Sequence, residues 1–428
     1  MLWEQRIQYG SLTDLGFRRQ NNEDALAVRL LKDKELWKSH GHLFIVADGM
    51  GGHAVGELAS KIAVDTVPHN YYKSHPKGVP QEELQQAIVA ANSAIYERSS
   101  ANHEFQRMGT TCSALVLGPH GAIIGHVGDS RVYRVRGERI DQLTCDHSLE
   151  WELKQQAKGE NIDPGLYSRS RHVITRSLGP ERSVEVDVEG PYPVQPGDAY
   201  IVCSDGLTGH LADDEIGMIC STLDSGEACK LMVNLANLRG GVDNISVVVA
   251  EVSQDVPDVP ATEAPAPPTD RLVIAGRIAA ATTALAGMMG IMLLLLQKLV
   301  PATILAFLFS FSLAITLLIW NRWRRNETAA PKMVDESLSE SSTIVWRPYR
   351  SASASLSPNF LKQLDAIVDE LIRTAQQDKW QISWNKVDDV LLEARNAVRQ
   401  KNATDALKNY AELIQRFMTA LKKHRSGE

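Results

Sequence analysis

Four aspartates in the first 253 residues each adjoin an apolar β-type run and a small or turn-forming residue. They are Asp48 in HLFIVADGMGGH, Asp129 in AIIGHVGDSR, Asp205 in AYIVCSDGL and Asp243 in GGVDNISVVV. Asp-Gly is a common turn dipeptide, so a single instance is more often a hairpin corner than a ligand. Four instances together favour a ligand site, because the runs must share a core that brings their carboxylates to common sheet edges. There they would repel each other unless a cation lay among them.

The ligand types favour a hard cation, because oxygen donors without a His or Cys cluster suit Mg²⁺ or Mn²⁺. Two such ions bridged by a carboxylate would activate a shared water and clamp an in-line displacement at phosphorus. That chemistry also needs an arginine to hold the phosphate oxygens. The stretch GFRRQNNEDAL offers Arg18 and Arg19 beside Glu23 and Asp24, although most mixed-charge runs are hydrated surface turns.

The order of eight motifs along residues 6–253 resembles the metal-dependent serine/threonine protein phosphatases of type 2C, in their bacterial form. The motifs are TDLGFRRQNNEDAL, VADGMGGHAVGELAS, GTTCSALVL, GHVGDSRVYRVR, LTCDHS, HVITRSLG, CSDGL and GGVDNISVVV. The resemblance implies a catalytic domain over residues 1–253 with an α+β fold, a four-layer α-β-β-α sandwich of two antiparallel sheets. GELASKIAVDTV and QEELQQAIVAANSAIYERS are the expected covering helices.

The same resemblance implies two or three Mn²⁺ or Mg²⁺ ions. It makes Asp48 the carboxylate that bridges two ions, with the Gly49 carbonyl on one of them. Asp205 and Asp243 become ligands of the other ion, and Asp129 joins Asp205 at a weaker third one.

Catalytic roles follow for the early cluster. The resemblance makes Arg19 the residue that binds the substrate phosphate, while Glu23 and Asp24 act through metal-bound waters. Met50 stands where eukaryotic members place a histidine that is thought to protonate the leaving group. The general acid is therefore unassigned; a metal-bound water is preferred to His53, for which a structural role in the glycine-rich loop is favoured.

Residues 148–172 correspond to the variable flap of the family. Its Arg169 and Arg171 face either solvent or an anionic phosphoprotein, and the first alternative is favoured because surface charges usually signify little.

After residue 253 the composition changes abruptly. Residues 254–275 are a Pro/Ala-rich linker, and residues 276–322 hold two apolar runs, about 278–296 and 299–320, each long enough to span a bilayer. Basic residues flank the pair on its outer sides, namely Arg271, Arg277, Arg322, Arg324 and Arg325. The pattern predicts a transmembrane hairpin in the cell membrane with both ends in the cytoplasm, although the first run could instead be a buried soluble helix.

Residues 323–358 read as a Ser-rich tether, and residues 359–428 as a helical interaction module of three amphipathic helices. The module either binds a protein partner, associates with a second copy, or docks on the catalytic domain.

We therefore expect a membrane-anchored phosphatase acting on phosphoserine and phosphothreonine in proteins, opposing a kinase. The alternative is a non-catalytic phosphoprotein-binding sensor or scaffold. A formal net charge of -7 without a basic stripe argues against nucleic acid as a partner. Five widely spaced cysteines favour reduced thiols, and the N-terminus shows no signal peptide.

Overall fold

Two antiparallel sheets are stacked face to face. The first contains, in spatial order, β1 (Ile7–Asp14), β11 (Ile245–Val252), β10 (Ala199–Cys203), β7 (Arg131–Arg136), β8 (Arg139–Gln142) and β12 (Arg350–Ser353). The second contains β2 (Asp24–Arg29), β3 (His42–Met50), β5 (Cys112–Gly118), β6 (Gly121–Val127) and β9 (Asp187–Tyr192), with β4 (Gly109–Thr110) paired to β3. The inner faces bury alternating residues such as Phe44, Val46, Val202 and Val248 in one apolar layer between the sheets.

The computed structural model describes residues 7–52, 54–73, 79–101, 103–105, 108–156, 173–253 and 348–426, which all belong to one compact unit. Helices α2 (Ala54–Lys73) and α3 (Pro80–Ser100) cover the second sheet. Helices α6 (Asp213–Cys220) and α7 (Ser225–Leu238) cover the first sheet. The expected four-layer sandwich and both expected covering helices are therefore confirmed. Three short helices complete this part, namely α1 (Lys34–His40), α4 (Leu149–Gln156) and α5 (Asp205–Thr208).

The three predicted C-terminal helices are also confirmed, as α8 (Pro358–Gln377), α9 (Trp384–Arg399) and α10 (Ala403–Ser426). Ser357 caps α8, since its side chain accepts the Phe360 N–H, and Pro358 opens the first turn. The apolar stripes of α8 and α10 are buried in the same core as Leu231 and Leu235 of α7. Of the three alternatives for this module, docking on the catalytic domain is the one observed; association with a partner or a second copy stays a prediction.

The structure differs from the sequence prediction in the tether. Residues Arg350–Ser353 form β12, which pairs antiparallel with β8, and the Ser351 hydroxyl donates to Asp141 at 2.7 Å. The serine-rich sequence carries no apolar alternation that would predict a strand. The open hydrogen-bonding edge of β8 decides the conformation instead, because an unpaired edge readily accepts another extended segment.

Residues 254–347 lie outside the described part of the chain. The predicted linker, the two predicted membrane spans and the tether up to residue 347 therefore stay predictions. Among the described residues, no helix combines the length and apolar character needed to cross a bilayer.

Candidate active site

Asp24 and Asp48 lie opposite each other on the paired strands β2 and β3. Asp24 is buried, and its Oδ2 accepts a hydrogen bond from the Ser204 hydroxyl at 2.8 Å. This bond links the second sheet to the first, where Ser204 Oγ in turn accepts the Ser246 N–H at 2.9 Å. On the other side, the Asp48 N–H donates to Thr111 Oγ1 at 2.9 Å. The two carboxylates are therefore carried to one end of the sandwich by backbone register and by hydroxyl groups of both sheets.

Asp205 and Asp243 come from the first sheet. Asp205 begins α5, separated by one residue from the end of β10, and Asp243 precedes β11, the neighbour of β10. Gly206 allows the two turns to touch, because a side chain there would overlap the Asn244 carbonyl oxygen. The close packing of the turns places both carboxylates at the same sheet edge.

Asp129 follows β6 and is buried. The neighbouring Ser130 hydroxyl lies 2.7 Å from Thr111 Oγ1, the same atom that accepts the Asp48 N–H. Thr111 therefore connects the turn that carries Asp129 to the strand that carries Asp48.

The aspartates perturb one another strongly. Burial, together with the charges of Asp205 and Asp243, raises the pKa of Asp24 to about 7. Burial first, and then the charges of the other aspartates, raise the pKa values of Asp48 and Asp129 well above the ordinary range. These carboxylates share one electrostatic environment in which several negative charges oppose each other, as the sequence argument expected.

Two buried oxygens of this cluster, Asp24 Oδ1 and Asp129 Oδ1, have no hydrogen-bond partner among the described residues. An unpaired buried carboxylate oxygen is costly, and a divalent cation would satisfy it. The donor set therefore fits a hard metal ion. In the described part of the chain, no group of three or more His, Cys, Asp or Glu side chains lies in an arrangement ready to hold an ion.

Gly49 follows Asp48 in a position where no side chain fits. Its N–H donates to the Glu23 carbonyl at 3.0 Å, and a Cβ would overlap the Gly56 carbonyl oxygen. A Cβ on Gly56 would itself lie 2.8 Å from Glu23 Oε2. The glycines thus let the start of α2 approach the strand end closely and hold Glu23 against it.

Arg19 lies on the exposed loop between β1 and β2, and its Nη2 is 2.8 Å from Asp243 Oδ1. Burial opposes its charge, but Asp243 raises the pKa of Arg19. The Phe17 N–H donates to the Gly241 carbonyl at 2.7 Å, which fixes the loop close to the Asp243 turn. A surface cavity of about 290 Å³ opens beside this loop, lined by Arg18, Arg19, Gln20, Asn21 and Glu23.

The structure brings together all eight residues that the sequence singled out for catalysis and metal binding. They are Arg19 and Glu23 of the loop, Asp24, Asp48 and Gly49 of the second sheet, and Asp129, Asp205 and Asp243 at strand ends. Met50 is the last residue of β3. His53, Arg169 and Arg171 lie outside the described residues.

Sequence reasoning missed the residues that hold these carboxylates. Asn244 accepts the Glu23 N–H at 2.8 Å and donates to the carbonyls of Leu15 and Asn21 at 3.0 Å, so it ties the Arg19 loop to the Asp243 turn. Ser204 and Thr111 play the corresponding part for the paired strands. The sequence could have pointed to two of these residues by their position, because Ser204 directly precedes Asp205 and Asn244 directly follows Asp243.

Comparisons with known proteins agree with this architecture. A family model described as Protein phosphatase 2C matches residues 18–238. A putative protein phosphatase 2C-type of Streptococcus pyogenes is 36% identical over 248 residues, which make up 57% of this chain and 97% of that protein.

Solved structures are similar over the same share of the chain. The crystal structure of the Mycobacterium tuberculosis serine/threonine phosphatase PstP/Ppp has 31% identity and a TM-score of 0.50, covering 58% of this chain and 99% of that one. The catalytic domain of PstP in complex with two manganese ions has 31% identity and a TM-score of 0.48, covering 58% of this chain and 98% of that one.

Two stacked antiparallel sheets between helices, with acidic residues gathered at one end, place the chain in the α+β class. The chain belongs to the protein phosphatase 2C family and is a serine/threonine protein phosphatase. The family match ends at residue 238 and does not include the C-terminal residues 348–426.

Proposed function

We propose that the enzyme hydrolyses phosphoserine and phosphothreonine in proteins with the help of two divalent cations held by the aspartate cluster. The observation that carries the proposal is the cluster itself. Buried carboxylates with raised pKa values and unpaired oxygens lie beside a cavity that an arginine lines. Such a site is matched to cations and to a phosphate dianion, and an apolar ligand would leave its charges uncompensated.

The resemblance to the family assigns the residues that would hold the ions, and their places in the fold are consistent with that assignment. Asp48, between the two sheets, would bridge both ions, and the Gly49 carbonyl would contact one of them. Asp205 and Asp243, which share an edge of the first sheet, would hold the other, and Asp129 would join Asp205 at a weaker third site. Bound there, Mg²⁺ or Mn²⁺ would activate water for in-line attack and neutralise charge at the phosphoryl group.

The chain's own residues would bind and orient the substrate. The Arg19 guanidinium would bind two phosphate oxygens through parallel N–H groups, exchanging part of its contact with Asp243 for them. Glu23 and Asp24 would accept hydrogen bonds from ordered waters and so orient them. Met50 has no proton to give, so the leaving serine or threonine oxygen would take its proton from water.

The test uses full-length protein in detergent, because the C-terminal helices share a core with the catalytic part. Phosphate release from a phosphothreonine peptide should require Mn²⁺ or Mg²⁺ and stop with EDTA. Asp205→Ala should abolish turnover, while Asp65→Asn, an exposed acid paired with Lys61, should leave it unchanged. Turnover that survives EDTA, or an Asp205→Ala protein with full activity, would contradict the two-metal mechanism.

The second candidate, a non-catalytic phosphoprotein sensor, makes a different prediction. It requires phosphopeptide binding without turnover under every metal condition. Retention of all the acidic residues argues against it, because a binding protein does not need a complete set of metal ligands. Phosphopeptide binding with no phosphate release at any metal concentration would favour the sensor.

We infer further that residues 278–296 and 299–320 anchor the enzyme in the cell membrane, with the catalytic part in the cytoplasm. Residues 348–426 share an apolar core with the first sheet and its covering helices, within one compact unit, so the catalytic part and the C-terminal helices must lie on the same side of any membrane. The chain between them must then cross an even number of times, as a two-helix hairpin does. The basic flanks favour the cytoplasmic side.

Cell fractionation tests the anchor. The full-length protein should stay in alkaline-washed membranes, and placing two charges in the second run, as in Phe309→Arg with Leu313→Arg, should release it with activity retained. Recovery of the unmodified protein in the soluble fraction would contradict the anchor without touching the phosphatase assignment.

A further inference from the structure

The last turn of α10 reaches the loop that carries Arg19. Lys422 Nζ lies 2.6 Å from Asp14 Oδ2, and the Arg425 guanidinium stacks over the Phe17 ring at 4.2 Å from its centroid. Phe17 is two positions before Arg19. Two side chains from the C-terminal end of the described chain therefore contact the segment that leads directly to the phosphate-binding arginine.

Asp14 is a junction between the loop and two helices. Its Oδ1 accepts the Gly16 N–H and the Asn237 side-chain amide, each at 3.0 Å, while Oδ2 faces Lys422. Gly16 has a φ of 78° and packs so closely on the Asp243 carbonyl that a side chain would overlap it. A displacement of Asp14 would therefore move backbone that lies against the turn of a proposed metal ligand.

The helix that presents Lys422 and Arg425 is itself firmly held. Ile414 and Phe417 of α10 are fully buried in the core shared with α7. The Asn234 amide of α7 donates to Gln415 Oε1 at 2.8 Å, and the His424 ring packs against Trp380 at 6.2 Å. Because α10 is anchored along its length, its last turn provides a fixed surface for the loop.

A simpler role for these basic residues is stabilisation of the helix end, since cations favour the negative end of the helix dipole. That role would change the melting temperature and leave the substrate affinity unaltered. It also does not account for the stacking on Phe17, which belongs to the catalytic part of the chain.

We propose that Lys422 and Arg425 are positioning residues that hold the Arg19 loop in its phosphate-binding conformation, so that the C-terminal residues 348–426 set the affinity of the site for phosphorylated proteins. The proposal rests on the proposed role of Arg19. It assigns to the C-terminal helices a part in catalysis that the family match, which ends at residue 238, does not cover.

The test compares full-length variants on a phosphothreonine peptide with saturating Mn²⁺. The double variant Lys422→Met/Arg425→Met should raise both KM and the inhibition constant of inorganic phosphate about threefold to tenfold, the range expected for the loss of one ion pair and one cation–π contact. Its kcat should stay within about twofold of the wild-type value. Lys408→Met, an exposed lysine of the same helix, is the matched control and should change neither value. Of the two single substitutions at position 422, Lys422→Arg should keep most of the wild-type affinity that Lys422→Met loses.

The loop partner offers a second measurement that does not depend on the double variant. Asp14→Asn should raise KM, and Lys422→Met should add nothing further in that background. A lower melting temperature with unchanged KM, or fully additive effects of Asp14→Asn and Lys422→Met, would overturn the proposal. An unchanged KM in Arg19→Ala would instead refute the proposed role of Arg19, so the two failures are distinguishable.

Discussion

Asp24 and Asp48 are register partners on neighbouring antiparallel strands, so their side chains emerge on the same face of the second sheet. Ordinary sheet packing would place apolar or oppositely charged residues at such a pair. Two carboxylates there are tolerated only because one pairs with Ser204 and because the site can admit cations. This relationship links the fold to the chemistry and underlies the first prediction.

Metal binding should stabilise the folded protein as well as activate it. A site occupied at about 100 times its dissociation constant adds about 2.7 kcal/mol to the free energy of unfolding. Addition of Mn²⁺ should therefore raise the melting temperature of the EDTA-treated protein by several degrees. Asp48→Asn should lose most of that increase and Asp65→Asn should keep it; an undiminished shift in Asp48→Asn would contradict a bridging role.

The two arginines of the opening cluster should separate by function. Both arginines line the cavity, but it is the Arg19 guanidinium that contacts the Asp243 carboxylate. Arg19→Ala should raise KM for a phosphopeptide about tenfold to a hundredfold, the value of a charge-assisted contact of roughly 1.5–3 kcal/mol. Arg18→Ala should change KM less than about twofold. Equal effects of both substitutions on KM, measured at several salt concentrations, would indicate general charge attraction instead.

Gly49→Ala should disrupt the site through the backbone. The new Cβ would overlap the Gly56 carbonyl and lie 2.6 Å from the Glu23 carbonyl, so β3 and α2 must separate. We expect a loss of about 2 kcal/mol or more in unfolding free energy, together with a severe loss of kcat. Gly226→Ala is the control, since the one neighbour within range there, Asp224 Oδ1, lies at 3.6 Å. Wild-type urea stability in Gly49→Ala would show that β3 and α2 can accommodate the methyl group without separating.

Asp187 should contribute stability that depends on pH. Burial raises its pKa, but hydrogen bonds and charges from His147 and Arg176 prevail and lower the pKa of Asp187 to about 2. Because the pKa of Asp187 is lower in the folded than in the unfolded protein, its ionised carboxylate stabilises the folded state above about pH 4. That stabilisation is lost as the pH falls toward 2.

Urea unfolding of Asp187→Asn checks this sign. The variant should be less stable than wild type by about 1–2 kcal/mol at pH 7, a figure discounted for partial exposure, and the difference should shrink below pH 4. Glu185→Gln, whose side chain is 75% exposed near Arg176, should cost less than about 0.5 kcal/mol. A difference that does not change with pH would place the effect in packing rather than charge.

Removal of the C-terminal helices should damage the catalytic part. A chain that ends at residue 257 would expose the apolar surfaces of α6 and α7 that now share a core with α8 and α10. Because each buried leucine or phenylalanine contributes about 1.5–3 kcal/mol, we expect a loss of at least about 3 kcal/mol and a tendency to aggregate. Unfolding of the full-length and shortened proteins in urea decides the matter. Equal urea midpoints for the two proteins would show that the C-terminal helices contribute little to the stability of the catalytic part.

Local patterns in the sequence were enough to predict much of the architecture and to single out the aspartates that lie together at one end of the sandwich. The motif order predicted the two sheets, the covering helices and the acidic cluster, and apolar periodicity located the three C-terminal helices, because both signals are local in the chain. The flanking residues Ser204 and Asn244 were visible but carried no distinctive pattern. Their role depends on partners about 180 and 221 positions away, which no local pattern specifies.

The position of the C-terminal segment, in contrast, became known from the three-dimensional packing alone. The serine-rich residues 350–353 become a strand because the edge of β8 is open to them, and α10 joins the core of the first sheet because α7 presents an apolar face. The contacts of Lys422 with Asp14 and of Arg425 with Phe17 span about 408 positions of chain. Such contacts arise from the packing of whole elements, and packing depends on complementary surfaces that a linear pattern does not reveal.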